Sequence, residues 1–124
     1  MGRKIGYWVS TSIMVAMMLF DSALYLSGAA VAVEGFTHIG YPEHLRIILG
    51  IAKLAGAIVL IIPGLRLVKE WAYAGFAYAW IVATIAHHLA GDGIKAITPA
   101  VLLVFLVVSY LTRPSDRRLA VSAV

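Results

Sequence analysis

The sequence predicts an all-α protein, a bundle of four transmembrane helices, from three observations. Of its 124 residues, 62% are hydrophobic and only 13% are charged, a balance outside the usual range of soluble proteins. Four apolar segments of nearly spanning length follow one another, at about residues 7–27, 45–62, 70–90 and 94–111. The breaks between them hold Gly, Pro or charged residues, so we interpret residues 1–124 as a single integral membrane domain.

Composition also limits the partners and the chemistry. The formal net charge of +4 would suit a protein that binds nucleic acid, but the Lys and Arg residues cluster at the ends of the apolar segments. We therefore expect no nucleic acid partner, and the lipid bilayer is the predicted surrounding. The absence of cysteine excludes disulfides, thiolate metal sites and thiol redox chemistry within the chain. A redox role would need a bound cofactor, and no metal site is predicted.

The first apolar segment follows Arg3 and Lys4 and admits two interpretations. An Ala-Val-Ala stretch beyond it resembles the cleavage site of a signal peptide, but such peptides have an apolar core of about 7–15 residues. This segment is longer and contains Asp21, which favours a membrane helix. Tyr7 and Trp8 are then expected at the level of the lipid headgroups, where amphipathic rings are favoured.

The second apolar segment carries one lysine, Lys53, near its middle. Residues 28–44, which precede it, are predicted to form a polar surface loop because they hold charged residues and a Gly-Tyr-Pro turn. Pro63 and Gly64 end the segment. Its many Leu, Ile and Val residues outweigh the cost of one central lysine, roughly 2.5–3.5 kcal/mol, so the segment is still expected to insert.

The third apolar segment has a stripe of small residues. Gly75, Ala79, Ala83 and His87 recur every four residues on one helical face, which predicts the close approach of a neighbouring helix. A Gly-Asp-Gly turn separates this segment from the fourth. The tail that begins at Arg113 is predicted to be short, polar and frayed.

Orientation follows from the basic residues that flank the apolar segments. Seven fall on one side of the predicted membrane and only two, Arg46 and Lys95, on the other, with Lys53 set aside inside it. The positive-inside rule then predicts a multi-pass protein of the cell membrane with both termini cytoplasmic, which requires an even number of spans. The seven are Arg3, Lys4, Arg66, Lys69, Arg113, Arg117 and Arg118.

Two charged residues are predicted to meet inside the membrane. Asp21 lies about 9 Å from the outer end of its segment, and Lys53 lies about 12 Å from the same edge. Pairing would relieve the cost of holding either charge in hydrocarbon. The pair admits a structural interpretation, in which it locks the first helix to the second. It also admits a functional one, in which it handles protons or anchors a ligand together with Tyr25, one helical turn beyond Asp21.

The third segment ends in two adjacent histidines, of which only one can face the bundle. His87 continues the stripe of small residues and is the inward candidate, whereas His88 lies about 100° round the helix. His87 could relay protons, since imidazoles titrate near neutral pH, or be an interfacial residue bonded to backbone or water. The candidate pocket residues are therefore Asp21, Tyr25, Lys53 and His87, and no catalytic residue is assigned.

Glu70, Trp71 and Tyr73 are predicted to have structural or interfacial roles at the start of the third segment. A carboxylate in the first turn of a helix is stabilised by the positive end of the helix dipole. Aromatic side chains are enriched at the level of the lipid headgroups. Glu70 could equally pair with Arg66 or Lys69.

The order of motifs resembles the DoxX-like family of small four-helix membrane proteins. The Lys-Glu-Trp-Ala-Tyr-Ala-Gly run at 69–75 is the most specific match. The resemblance implies a four-helix bundle with cytoplasmic termini, in agreement with the count of basic residues. Residues 82–87 depart from a Gly-Ala-x-x-Ser-His pattern that family members often carry. The other matches are Gly40, Tyr41, Pro42, the run 49–57, Pro63, Phe76, His87, Ser109 and Tyr110.

The resemblance leaves two classes of function open and does not decide whether the protein is an enzyme. Some broader relatives resemble subunits of quinone-linked oxidation complexes, which implies a membrane oxidoreductase subunit presenting Lys53 and His87 to a quinone. The alternative is a small transporter or membrane scaffold whose polar residues line an intramembrane pocket. The small size of the chain favours association into a homo-oligomer or a larger membrane complex.

Overall fold

The computed structural model describes residues 2–117 and is all-helical over this range, as predicted. The helices of the first three predicted apolar segments begin earlier than expected, and the helix of the fourth segment begins later and is shorter than predicted. The elements are α1 (Gly2–Ser27), α2 (Ala30–His38), α3 (Glu43–Ile61), α4 (Arg66–Leu89), α5 (Ile97–Leu111) and a 3₁₀ turn at Ser115–Arg117.

The four longer helices pack in a closed ring. α1 contacts α3 and α5, and α4 contacts the same two helices, while the short α2 lies on α1 and α3. The core between them is formed by side chains that recur at helical spacing on the inward faces. Its most deeply buried members are Met14, Met18, Ala57, Leu60, Tyr73 and Trp80.

The connection between the first two long helices is not the polar loop that the sequence predicted. It contains α2, whose Ala32 and Phe36 lie one turn apart and are both buried. The Phe36 ring meets the Tyr25 ring edge-on at 5.0 Å and the Tyr41 ring at 6.1 Å. Only these few apolar residues of α2 are buried, and they contact residues from other parts of the fold. The sequence near them holds charged residues and a Gly-Tyr-Pro turn, so it predicts a loop.

Two helices of residues 2–117, α1 and α3, combine the length and the apolarity needed to cross a bilayer, where the sequence predicted four. α5 is apolar but has only 15 residues, about 22 Å of helix. α4 has 24 residues and is long enough, but tryptophan, tyrosine and histidine residues along it lower its apolarity, and it begins at Arg66. The predicted start near Glu70 is therefore one turn late.

One end of the molecule gathers the starts of α1 and α4 with the ends of α3 and α5, and we call it the basic end. Long cationic side chains reach across it to carbonyl groups at the helix ends. These side chains donate hydrogen bonds to carbonyls that have no partner within their own helix, and such bonds stabilise a helix terminus. The basic end is defined by Arg3, Arg66, Lys69, Arg113 and Arg117.

The start of the tail packs against the basic end, so the prediction of a frayed tail is wrong there. The Arg117 guanidinium donates to the Leu60 and Ile61 carbonyls at 2.8 and 3.1 Å. Both Arg113 and Arg117 are buried. Arg118, which the orientation count included, lies outside the described residues.

Tyr7 and Tyr73 were predicted at the lipid interface but are buried, with exposed fractions of 1% and 3%. The Tyr73 hydroxyl bonds the Ser109 hydroxyl at 2.7 Å. A buried tyrosine needs such a partner for its O–H group, and a partner supplied by a distant helix cannot be read from the local sequence. Trp8 and Trp71 are exposed.

Candidate functional site

Lys53 pairs with Asp21, as predicted. Its Nζ donates to Asp21 Oδ2 at 2.9 Å and to the Tyr25 hydroxyl at 3.3 Å, and it lies 4.5 Å from the centre of the Tyr25 ring. The lysine is only 8% exposed. A buried ammonium group is tolerated when a carboxylate and other polar groups surround it, and these three contacts supply that environment.

Gly50 lets α1 come close enough to α3 for this pairing. A Cβ added there would lie 2.9 Å from the Leu26 side chain and 3.0 Å from the Tyr25 Cβ. Any side chain at this position would push the two helices apart, because interiors are already close-packed. The glycine lies one turn before Lys53 in α3, so the close approach places Tyr25 beside the ammonium group.

A cavity of ≈ 520 Å³, called the main cavity below, opens beside Lys53. Its walls come mainly from α2, α3 and α4 and are mostly apolar. Tyr25, Lys53 and His87, three of the four predicted pocket residues, line it. Asp21 is not part of the wall, but it accepts a hydrogen bond from Lys53, which is.

α3 and α4 touch closely at one point next to the main cavity. A Cβ added to Gly56 would lie 2.1 Å from Cζ of Phe76, so the absence of a side chain admits the ring. Lys53 and His87 lie on the side of this crossing away from the basic end. There α2 covers the gap between the two helices.

The stripe of small residues on α4 has a different role from the predicted one. Gly75, Ala79, Ala83 and His87 all line the main cavity, and a Cβ added to Gly75 would meet no atom within 4 Å. The stripe therefore leaves space where the sequence predicted close contact with a helix. Periodicity identifies the inward face but does not say whether a helix or a void lies opposite it.

Three side chains from different elements meet at the end of the molecule opposite the basic end. His38 Nε2, at the end of α2, lies 2.9 and 2.8 Å from the two carboxylate oxygens of Asp92. His87 Nδ1, in the last turn of α4, lies 3.2 Å from Asp92 Oδ2. We call this end the histidine end and define it by His38, Arg46, His87 and Asp92.

The contacts of Asp92 determine its protonation. Hydrogen bonds from His87 and then from His38, together with the nearby charges of His38 and Lys95, hold the pKa of this carboxyl below its usual range. The carboxylate is therefore ionised and bonds directly to both rings. No cluster of three or more His, Asp or Glu side chains in residues 2–117 has the arrangement of a metal site.

Arg46 joins the end of α1 to the start of α3 at the histidine end. Its guanidinium donates to the Tyr25 carbonyl and, at 3.1 Å, to Glu43. A cation at the carboxyl end of a helix is stabilised by the negative end of the helix dipole. The side chain is buried, and its Nε has no partner within the described residues.

Glu70 pairs with a residue that the sequence did not suggest. It accepts from the Arg113 guanidinium and, at 2.9 Å, from the Tyr110 hydroxyl. The predicted partners are engaged elsewhere: Arg66 donates to a backbone carbonyl, and Lys69 donates to the carbonyls of the last turn of α3. Pairing within one helix was the simpler prediction, but the tail brings a better-placed cation.

Sequence reasoning missed Asp92 and His38 as members of the site. Both were assigned to connecting segments on polarity alone. The available signal was weak: an acidic residue in a Gly-Asp-Gly turn five residues after His87, and a histidine after an apolar i, i+4 pair. Neither spacing shows that the two segments meet.

Comparison with known proteins identifies a family. No curated protein and no solved structure gives a significant match. The profile of the DoxX-like family matches residues 9–109, which include most of α1, all of α2 to α4 and most of α5. This match and the apolar helices suggest a membrane protein, and the chain belongs to the DoxX-like family.

Proposed function

We propose that the protein crosses the membrane four times and binds the head group of a quinone in the main cavity, as a subunit of a membrane oxidoreductase. The observation that supports this most is the buried Lys53 ammonium group on the wall of an apolar cavity of ≈ 520 Å³. Small-molecule sites are typically mostly apolar with a few convergent polar groups that fix orientation.

The charge of the site selects a neutral ligand. Asp21 already balances Lys53, so an anionic head group would add an uncompensated charge to an apolar region. A carbonyl oxygen needs only a hydrogen bond. Lys53 has three N–H donors, two of which are directed to Asp21 and Tyr25. The third is available for a ligand oxygen.

Four spans are supported by the surface of the longer helices. Each carries large apolar side chains that face outward, which is costly in water and favourable in lipid. Examples are Phe20 at 59% exposed, Ile51 at 56%, Ile81 at 46% and Val104 at 62%.

The basic end is then cytoplasmic, by the positive-inside rule. A reporter that is active only in the cytoplasm should be active when fused to the carboxyl terminus and inactive when inserted beside Glu34 in α2. An active insertion at Glu34 contradicts this topology.

Ligand binding tests the proposed function directly. Purified protein in lipid nanodiscs should bind a short-chain benzoquinone, and Lys53→Met should weaken the affinity by more than about tenfold, the loss of one charged hydrogen bond. Lys4→Met, which removes an exposed lysine at the basic end, is the matched control. Equal affinity of the wild type and Lys53→Met rejects the site. No binding at all favours the transporter or scaffold role.

A further inference from the structure

The two ring nitrogens of His87 have different surroundings. Nδ1 lies 3.2 Å from Asp92 Oδ2, and because an ionised carboxylate only accepts hydrogen bonds, Nδ1 carries the proton. In the neutral imidazole, Nε2 then holds the lone pair. His87 lines the main cavity whereas Asp92 does not. Nε2 is therefore the ring nitrogen left for a ligand.

His38 helps Asp92 to remain an acceptor. Its ring nitrogen lies within hydrogen-bond distance of both carboxylate oxygens, and the lowered pKa of Asp92 is consistent with that contact. The Asp92 carboxylate is therefore ionised at neutral pH. Other titratable groups nearby are Lys95 beside Asp92 and, on the cavity wall with His87, Tyr25, Tyr41, Lys53 and Tyr78.

We infer that Asp92 is a positioning residue that makes His87 a proton acceptor toward the main cavity, so that the cavity prefers a hydroxyl group at the His87 end of its ligand. The inference rests on the proposed function and refines it: of the two forms of a quinone, the reduced, hydroxyl-bearing quinol is the preferred one. The ligand O–H donates to Nε2 of His87, and Lys53 donates to the oxygen at the other end.

The preference reverses when the imidazole takes a second proton. Nε2 then becomes a donor, which suits a carbonyl oxygen and leaves a hydroxyl without its acceptor. A doubly protonated His87 ring would therefore favour quinone over quinol.

The first test needs no ligand. Nitrogen-15 NMR of the histidine rings, recorded at a pH at which the spectrum itself shows the His87 ring neutral, should show its proton on Nδ1. Asp92→Ala should shift His87 toward the Nε2-protonated form that a free imidazole favours, and Asp92→Glu should restore the Nδ1 form. His88→Gln, a change in the exposed neighbour, should alter nothing. A His87 ring protonated on Nε2 in the wild type overturns the inference.

The second test measures ligand choice. The affinity ratio of a short-chain benzoquinol to its benzoquinone, measured anaerobically at a pH at which NMR shows the His87 ring neutral, should be about tenfold higher in the wild type than in Asp92→Ala. Asp92→Glu should restore the wild-type ratio to within about twofold. Equal ratios in the wild type and Asp92→Ala contradict the inference. If neither compound binds, the proposed function fails, while the NMR result still decides the role of Asp92.

Discussion

The basic end and the histidine end are both built from charged side chains, but they use them differently. At the basic end, cations donate to backbone carbonyls at helix ends, and both Arg117 and Lys69 are buried in doing so. At the histidine end, charged side chains mostly pair with one another, as in His38 and His87 with Asp92, and the pair of Lys53 with Asp21 lies on the same side of the crossing of α3 and α4. The main cavity lies beside the second set.

The cations at the basic end stabilise the fold, whereas the side-chain pairs beside the main cavity can also bind a ligand. A cation bonded to helix carbonyls is fixed, because leaving would orphan buried acceptors. A side-chain pair on a cavity wall retains unused donors and lone pairs. The four predictions below test this separation, from the largest expected effect to the smallest.

Removing a cation from the basic end should cost the most stability. Lys69 is 1% exposed and donates to the Val59 carbonyl at 2.6 Å and to the Ile62 carbonyl. Lys69→Met should lower the free energy of unfolding by about 3 kcal/mol, because two carbonyls at the end of α3 lose a charged donor. Unfolding in mixed detergent measures this loss. Lys4→Met should be near neutral, and quinone affinity should not change in either variant if the two ends are independent.

Filling the crossing of α3 and α4 should cost somewhat less. In Gly56→Ala the new methyl group meets the Phe76 ring, so overpacking should cost about 2 kcal/mol. Gly6→Ala is the control, since a Cβ there meets nothing within 4 Å and alanine is the better helix former. The same unfolding assay applies. A Gly56→Ala variant as stable as Gly6→Ala would show that this crossing is not close-packed.

The pair of Asp21 and Lys53 should show a measurable coupling. Lys53→Met leaves a carboxylate without its cation, while Asp21→Asn leaves the cation without its carboxylate. A double-mutant cycle should therefore give a coupling of about 1 kcal/mol, since neighbours in one ion pair are not additive. A cycle with no coupling would mean that the 2.9 Å contact contributes nothing to stability.

Acid should remove the contribution of Asp92. Because the pKa of this carboxyl is lowered in the folded protein, by His87 first and then by His38, its stabilising effect is present above the usual carboxyl range. The effect is lost as pH falls through the lowered value. The melting temperature of the wild type should exceed that of Asp92→Asn at about pH 7, and the difference should shrink below about pH 4. The exposed Asp116→Asn should show no such trend.

The sequence alone determined the helical class, the family and the meeting of Asp21 with Lys53. Each of these depends on quantities that run along the chain: apolar length, helical spacing and depth from a helix end. Two helices at equal depth with opposite charges have strong reason to pair, because an unpaired charge in an apolar region is costly. The inward position of His87 followed from spacing in the same way.

Only the tertiary structure decided what lies opposite each inward face. The stripe Gly75, Ala79 and Ala83 lines a void, whereas the neighbouring Phe76 ring packs directly on Gly56 of α3. His38 and Asp92 come together although 54 residues separate them. Contacts between segments far apart in sequence depend on how whole helices pack, and the local pattern of residues in each segment carries no record of that packing.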